Sequence, residues 1–346
     1  MIQPVRDIIA REGPIPFERF MELALYGEGG FFASADLRSV KAGDFLTSPE
    51  VSPLFGETLA GFVRREHERI GDPFCLVEVA GGSGSLIRPL LELHPVETWA
   101  VEVSPPAREA LAEVVGPGRV VGSLDEVPGP LRGVVLANEL VDNLPMAIAQ
   151  RVDGAWRERW VGLDGDGLAF VDADPRPAVI DWLERFADEV GDGGWVEVQL
   201  AAAAWLRSAL ARLDAGAVVL IDYGDTAENL LPRRQDGTLR TYRSHHLGPH
   251  PLEEPGATDI TADVNFTALE AIAREVGAEV ELLRQDDFLA DLGLRDRISE
   301  LRHRELALAR SGDQMERLRV RTIRTEAETL MHPRGLGDFR ALVARG

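Results

Sequence analysis

Phe74-Cys75-Leu76-Val77-Glu78-Val79-Ala80-Gly81-Gly82-Ser83-Gly84-Ser85 is the stretch that decides the fold. Its first half is a short apolar run and its second half a string of small residues. A run this short, bounded by glycines, predicts a buried strand. Glycine at the strand's end lets the backbone turn tightly and approach a ligand closely. The chain then repeats the change of period. Residues 86–93 (LIRPLLEL) predict a helix, 98–103 (TWAVEV) a second strand and 106–115 (PAREALAEVV) a helix. Residues 119–122 (RVVG) and 132–138 (RGVVLAN) predict a third and a fourth strand. This alternation predicts an α/β fold, a parallel sheet with helices on both faces.

Working outward, residues 1–70 read as an N-terminal region of helices and loops. FERFMELALYG (17–27) has helical apolar spacing at Phe17, Phe20, Met21 and Leu25. After the loop KAGDFLTSPE (41–50), a helix is expected over Val51–Arg69, with Ser48 or Ser52 as its cap. Residues 71–146 form the first part of a Rossmann-like core. Residues 147–200 read as an insertion: 147–171 as antiparallel strands joined by Asp-Gly turns, then a helix near 178–190. Residues 201–346 complete the core, with a helix near 200–213 and a fifth strand in AVVLIDYGD (217–225). Residues 226–265, rich in Pro, Gly and His, are too long for an ordinary connection and are expected to be a loop on the substrate side. A helix over 264–277, a strand over 278–284, one charged helix over 295–328 and a short strand over Phe339–Val343 follow. The charged helix is expected to pack on one side or to form a contact between two copies of the chain, a homodimer.

Composition narrows the function. The 346 residues are 45% hydrophobic and 27% charged, which suits a packed core. The formal charge of −21 argues against binding nucleic acid, which depends on basic residues. There is no apolar run near the ~20 residues of a membrane helix, and the first residues are too polar for a signal peptide, so a cytoplasmic protein without membrane insertion is expected. Cys75, the sole cysteine, reads as a core residue. His245, His246 and His250 lack trustworthy ligand spacing, so no metal is expected.

The ends of the predicted strands carry the chemistry, because open α/β sheets bind ligands beyond their carboxyl ends. A glycine-rich turn alone also serves as a plain connection. Glu102 strengthens it: it ends the second strand 18 residues after Gly84, where an acid accepts hydrogen bonds from ribose hydroxyls. Glu78, at the end of the first strand, suits the ammonium of a bound amino-acid moiety. NAD has no ammonium, so the two acids favour S-adenosyl-L-methionine. The expected cofactor residues are Glu78, Ala80, Gly81, Gly82, Gly84, Glu102, Val103 and Ser104. Leu124 and Asp125 would serve an adenine edge, Asn138 would reach in from the fourth strand, and Thr47 and Ser48 from the N-terminal loop.

At these residues a resemblance becomes specific. GDFLTSPEVSPLFGE (43–57), LVEVAGGSGSL (76–86), VEVSP (101–105) and ANELVDNLP (137–145) resemble the MidA-like family of class I S-adenosylmethionine-dependent methyltransferases. IDYGD, GTLRTYRSHH, PGATDITADVNF and PRGLGDFRAL follow in family order. The family includes the mitochondrial complex I assembly factor with protein-arginine methyltransferase activity. The resemblance implies methyl transfer to an arginine-bearing protein substrate. Carboxylates would then grip the guanidinium bidentately, and Glu139, Asp142 and Glu57 are the expected catalytic residues, with Asp44 and Asp222 behind them. Two departures stand out. Ala80 and Gly81 stand where the family usually has Gly-Pro, and Asp263 and Asn265 replace the usual His and Asp in a segment expected to face the substrate. They leave two other readings open, a small-molecule methyltransferase and a non-catalytic assembly factor.

Overall fold

The structure is a computed structural model and describes residues 2–33, 47–243, 246–311 and 313–346. Its centre is a seven-stranded sheet. The strands are β1 (Cys75–Val79), β2 (Glu97–Val101), β3 (Val120–Val121), β4 (Leu131–Asn138), β5 (Leu213–Asp222), β6 (Glu279–Arg284) and β7 (Arg340–Arg345). The spatial order is β6-β7-β5-β4-β1-β2-β3, and β7 alone runs against its neighbours. Strand order therefore reverses between β1 and β4. That is the switch point at which a doubly wound sheet opens a crevice.

Alternation along the strands splits the core in two. Leu76, Leu136, Val219 and Ile221 face one layer, with the helices Leu54–Ile70 and Ile87–Leu93 packed on them. Val77, Val79, Val135, Val218 and Leu220 face the other, covered by Leu200–Ala211 and Phe266–Glu275. A parallel sheet covered on both faces reads as nearly continuous apolar strands, which is why the strands are legible in the sequence. Helix Leu54–Ile70 has no side chain bonded at its cap position; the Ser52 hydroxyl instead accepts from the Leu54 amide at 3.4 Å.

A second sheet, of five strands, stands beside the first. Ala147–Val152 and Ala155–Asp164 form a hairpin across Asp153 (φ 50) and Gly154 (φ 76), the pair of left-handed residues that a tight hairpin turn requires. Gly167–Ala173 pairs with the far side of the second strand. Two strands escaped the sequence reading: Trp195–Val198, which pairs with Ala147–Gln150, and Ile15–Pro16, which pairs with Trp160 and Val161. Both are too short to show a period.

Two expectations are corrected. Residues 226–265 are not one open loop: Arg240–Arg243 pairs with His246–Leu247 and with Asp259–Thr261, and Val264–Asn265 pairs with Gly224–Asp225. The single charged helix over 295–328 is two, Leu294–Ser311 and Gln314–Leu330, folded back on each other through Arg324–Glu305 and Arg302–Glu328. Asp313 accepts from the Glu316 amide at 3.1 Å and gives the second helix its own start. The uniform charge pattern hid that cap.

Candidate active site

The loop leaving β1 continues the ladder for one residue, Ala80 donating to Val101 at 2.8 Å, and then breaks. Ala80 (φ 57), Gly82 (φ 53) and Gly84 (φ 78) all take the left-handed conformation, which costs alanine roughly 1–2 kcal/mol and glycine nothing. Gly81 makes room for its neighbour: a Cβ there would sit 2.7 Å from Glu78 Oε2, and that carboxyl would have to shift. The Glu78 carboxyl is 3% exposed, and no donor reaches Oε2. Burial, then the nearby Glu102, pushes it well above the usual carboxylate range.

Glu102 is the organiser of this end. Its Oε1 accepts from the Val103 and Ser104 amides, both at 2.8 Å, and its Oε2 from the Gly82 amide at 3.1 Å. One carboxylate thus joins the glycine loop to the end of β2. Burial raises it and these three amides oppose the rise. From the other side, Ser83 donates to Glu50 at 2.5 Å, fastening the loop to the short helix Ser48–Val51.

These elements enclose a cavity of about 650 Å³ at the switch point. Glu78, Ala80, Gly81, Gly82, Glu102, Val103 and Ser104 line it, with Leu124, Asp125, Asn138 and Thr47. Val103 is 56% exposed there, an apolar side chain facing open space. Gly84 is not in the lining; it turns the chain back against Val114 and Leu111.

Beyond β4 lies a second cluster. Glu139 (φ 52) lines the cavity, half-buried, and accepts from Asn138 Nδ2 at 3.1 Å. Burial and the charge of Asp142 push its carboxyl up to about 8, against the opposing Asn138 and the Ser48 amide. Asp142 is 2% exposed and accepts from the hydroxyls of Tyr223 (2.5 Å) and Thr261 (2.7 Å). Asp222 lies behind: its oxygens accept from the amides of Val141, Asp142 and Tyr223, and burial with the charges of Asp142 and Glu139 drives it well up. Tyr26 donates to the Asn143 carbonyl at 3.1 Å, and Asn143 Nδ2 donates to Asp259 at 2.8 Å. Tyr26, Tyr223, Tyr242 and Asp259 all line this end.

The structure thus brings Glu139 and Asp142 together and leaves Glu57 out. Glu57 lies in the first turn of helix Leu54–Ile70, whose buried face points to the sheet, and it does not line the cavity. Asp44 and His245 lie outside the described residues. His246 is exposed on its strand, and His250 bonds its own loop through the Leu252 amide. The expectation for Asp263 and Asn265 is corrected. Asp263 pairs with Arg233, while Asn265 accepts from the Ala268 amide as a helix cap and donates its own amide to Gln199. Neither lines the cavity. Tyr26, Asn143, Trp205 and Asp259 were missed, although Asp259 stands four residues before Asp263 in the same quoted segment.

Among the described residues, the lining carries six acids (Glu78, Glu102, Asp125, Glu139, Asp142 and Asp259) and no Arg, Lys or His. Glu78 Oε2, Asn138 Oδ1 and Asp142 Oδ1 are buried without a donor. Such a cavity asks for a ligand rich in positive charge and N–H donors. The profile of the S-adenosyl-L-methionine-dependent methyltransferase family described as Methyltransf_28 matches residues 58–283. The chain belongs to this methyltransferase family. S-adenosyl-L-methionine, with its sulfonium and its ammonium, has the charge and donors that the lining lacks.

Related proteins match most of the chain. The methyltransferase is 28% identical to protein arginine methyltransferase NDUFAF7, mitochondrial, from Danio rerio, over 85% of this chain and 76% of that one. It is 28% identical to the Homo sapiens protein of the same name, over 87% and 75%. Among solved structures, a superfamily member from Burkholderia thailandensis bound to S-adenosyl-homocysteine superposes with a TM-score of 0.86. It is 28% identical, with 100% of this chain and 91% of that one covered. A second structure from that organism superposes at 0.82. The expectation of a cytoplasmic protein does not stand, because these curated relatives are named as mitochondrial. Polarity at the start of a chain and the want of an apolar run do not report a compartment. Among the described residues, no helix is long and apolar enough to cross a membrane.

Proposed function

We propose that this methyltransferase transfers a methyl group from S-adenosyl-L-methionine to an arginine side chain of a protein. The observation that carries the reading is the acidic, cation-free lining, above all Glu139 and Asp142 beside Tyr26, Tyr223 and Tyr242. A guanidinium meets paired carboxylates with forked hydrogen bonds and lies flat on aromatic rings. The naming of the relatives as protein arginine methyltransferases supports it. The link to respiratory complex I assembly rests on the family resemblance alone.

In this reading Glu78 and Asn138 would hold the cofactor's ammonium, Glu102 its ribose, and Val103, Leu124 and Asp125 its adenine, with Thr47 closing the near side. The bound cofactor supplies an electrophilic methyl group on a sulfonium. The protein aligns the attacking nitrogen with it, and alignment alone can supply much of the acceleration. Glu139 and Asp142 orient that nitrogen, and Glu139, poised near neutrality, takes the proton that the guanidinium gives up.

The test is transfer of labelled methyl from S-adenosyl-L-methionine to extract proteins, followed by hydrolysis and chromatography of the amino acids. Label in methylarginine supports the reading, and label confined to small molecules overturns it. Glu139→Gln should lower turnover by about 100-fold with the cofactor still bound. The small-molecule alternative loses its motive, because Asp263 and Asn265 are spent on a salt bridge and a helix cap.

A further inference from the structure

Asp142 is held unevenly. The hydroxyls of Tyr223 and Thr261 both donate to Oδ2 and also touch each other. The backbone reinforces the arrangement: the Ala262 amide donates to the Asp142 carbonyl at 3.3 Å, so the strand bearing Thr261 is tied to the residue it holds. Asp222 fixes the other side, through the amides of Val141, Asp142 and Tyr223. The remaining oxygen, Oδ1, is buried in the cavity wall with no donor. Buried polar atoms nearly always have partners, so an orphaned carboxylate oxygen in a binding cavity marks the place of a ligand's donor.

We propose that Tyr223 and Thr261 are positioning residues whose hydroxyls clamp Oδ2 of Asp142, so that Oδ1 stays ionised and aimed at an N–H of the methyl acceptor. This rests on the arginine reading. The groups facing Asp142 are Glu139 from its own turn, Asp222 and Tyr223 from the end of β5, Asp259 and Thr261 from the adjoining strand, and Tyr26 from helix Phe17–Tyr26. All are acids, phenols or hydroxyls. Burial raises Asp142; the two hydroxyl donors are the first forces opposing the rise, followed by the backbone amides of Asn143 and Asp142. Losing either donor therefore favours the protonated, non-gripping form.

The test uses Tyr223→Phe and Thr261→Val, with Thr261→Ser restoring the hydroxyl. Retained binding of S-adenosyl-homocysteine shows each variant folded. Binding of Nα-acetyl-arginine amide to the S-adenosyl-homocysteine complex is followed by calorimetry across pH. The acid limb should move up by about one pH unit in Tyr223→Phe and Thr261→Val, and return in Thr261→Ser. In parallel, the infrared carboxyl band that Asp142→Asn abolishes reports ionisation with no acceptor present. If that band does not move in Tyr223→Phe or Thr261→Val, the clamp is overturned whatever the probe does. If it moves while even the wild type ignores the arginine probe, the clamp stands and the arginine reading falls.

Discussion

Ser83 donates its hydroxyl to Glu50 at 2.5 Å, joining the glycine loop after β1 to the segment that carries Thr47 and Pro49 over the cavity. The bond is charge-assisted and part-buried, so it is worth roughly 1–2 kcal/mol. Ser83→Ala should weaken S-adenosyl-homocysteine binding about 5- to 30-fold, read by calorimetry, with little change in thermal midpoint. An unchanged affinity would show that the segment does not help to hold the cofactor.

Glu102 should matter more, because one carboxylate serves three amides. Glu102→Ala leaves one buried and two part-buried donors without that partner, at up to roughly 1–3 kcal/mol each before relaxation. Binding of S-adenosyl-homocysteine should fall by at least about 100-fold. Glu102→Gln, which keeps one acceptor oxygen, should fall less. Equal losses would count against the bridging role.

Ala80 is an alanine where the backbone asks for glycine. Ala80→Gly relieves the left-handed strain but adds freedom to the unfolded chain, leaving a net gain of about 0.5–1 kcal/mol. In a chain of this size the midpoint should rise by about 1–2 °C in scanning calorimetry. A lower midpoint would mean that the methyl group packs to advantage.

Glu139 sets a pH dependence. Folding pushes it up to about 8, above the ordinary 4.5 of a free glutamate. The protonated form is therefore favoured by folding, and that stability is complete below about pH 4.5 and lost as pH rises through about 8. Glu139→Gln removes the loss. Its melting point relative to wild type should climb between pH 5 and pH 8, and a flat difference would refute the burial of this carboxyl.

The sheet could be read from the sequence because its strands are apolar on both faces, and the glycine loop because small residues abut an acid. Of the end proposed for the acceptor, only Glu139, Asp142 and Asp222 could be read. Tyr26, Asn143 and Asp259 meet only through hydrogen bonds that span more than a hundred residues of chain. Asp263 and Asn265 drew attention because their charges differ from the family pattern, yet charge in a sequence does not say which way a strand turns its side chains. Arg233 and the Ala268 amide account for both.

The position of β7 has a consequence for synthesis. It lies between β5 and β6 and pairs with both along its whole length. While the ribosome is still making residues 285–339, β6 has no strand to dock on and β5 presents a bare edge, the sort of edge that recruits stray strands. The sheet is thus completed from its interior by a segment made after both of its neighbours, and until β7 emerges the β5 edge stays open.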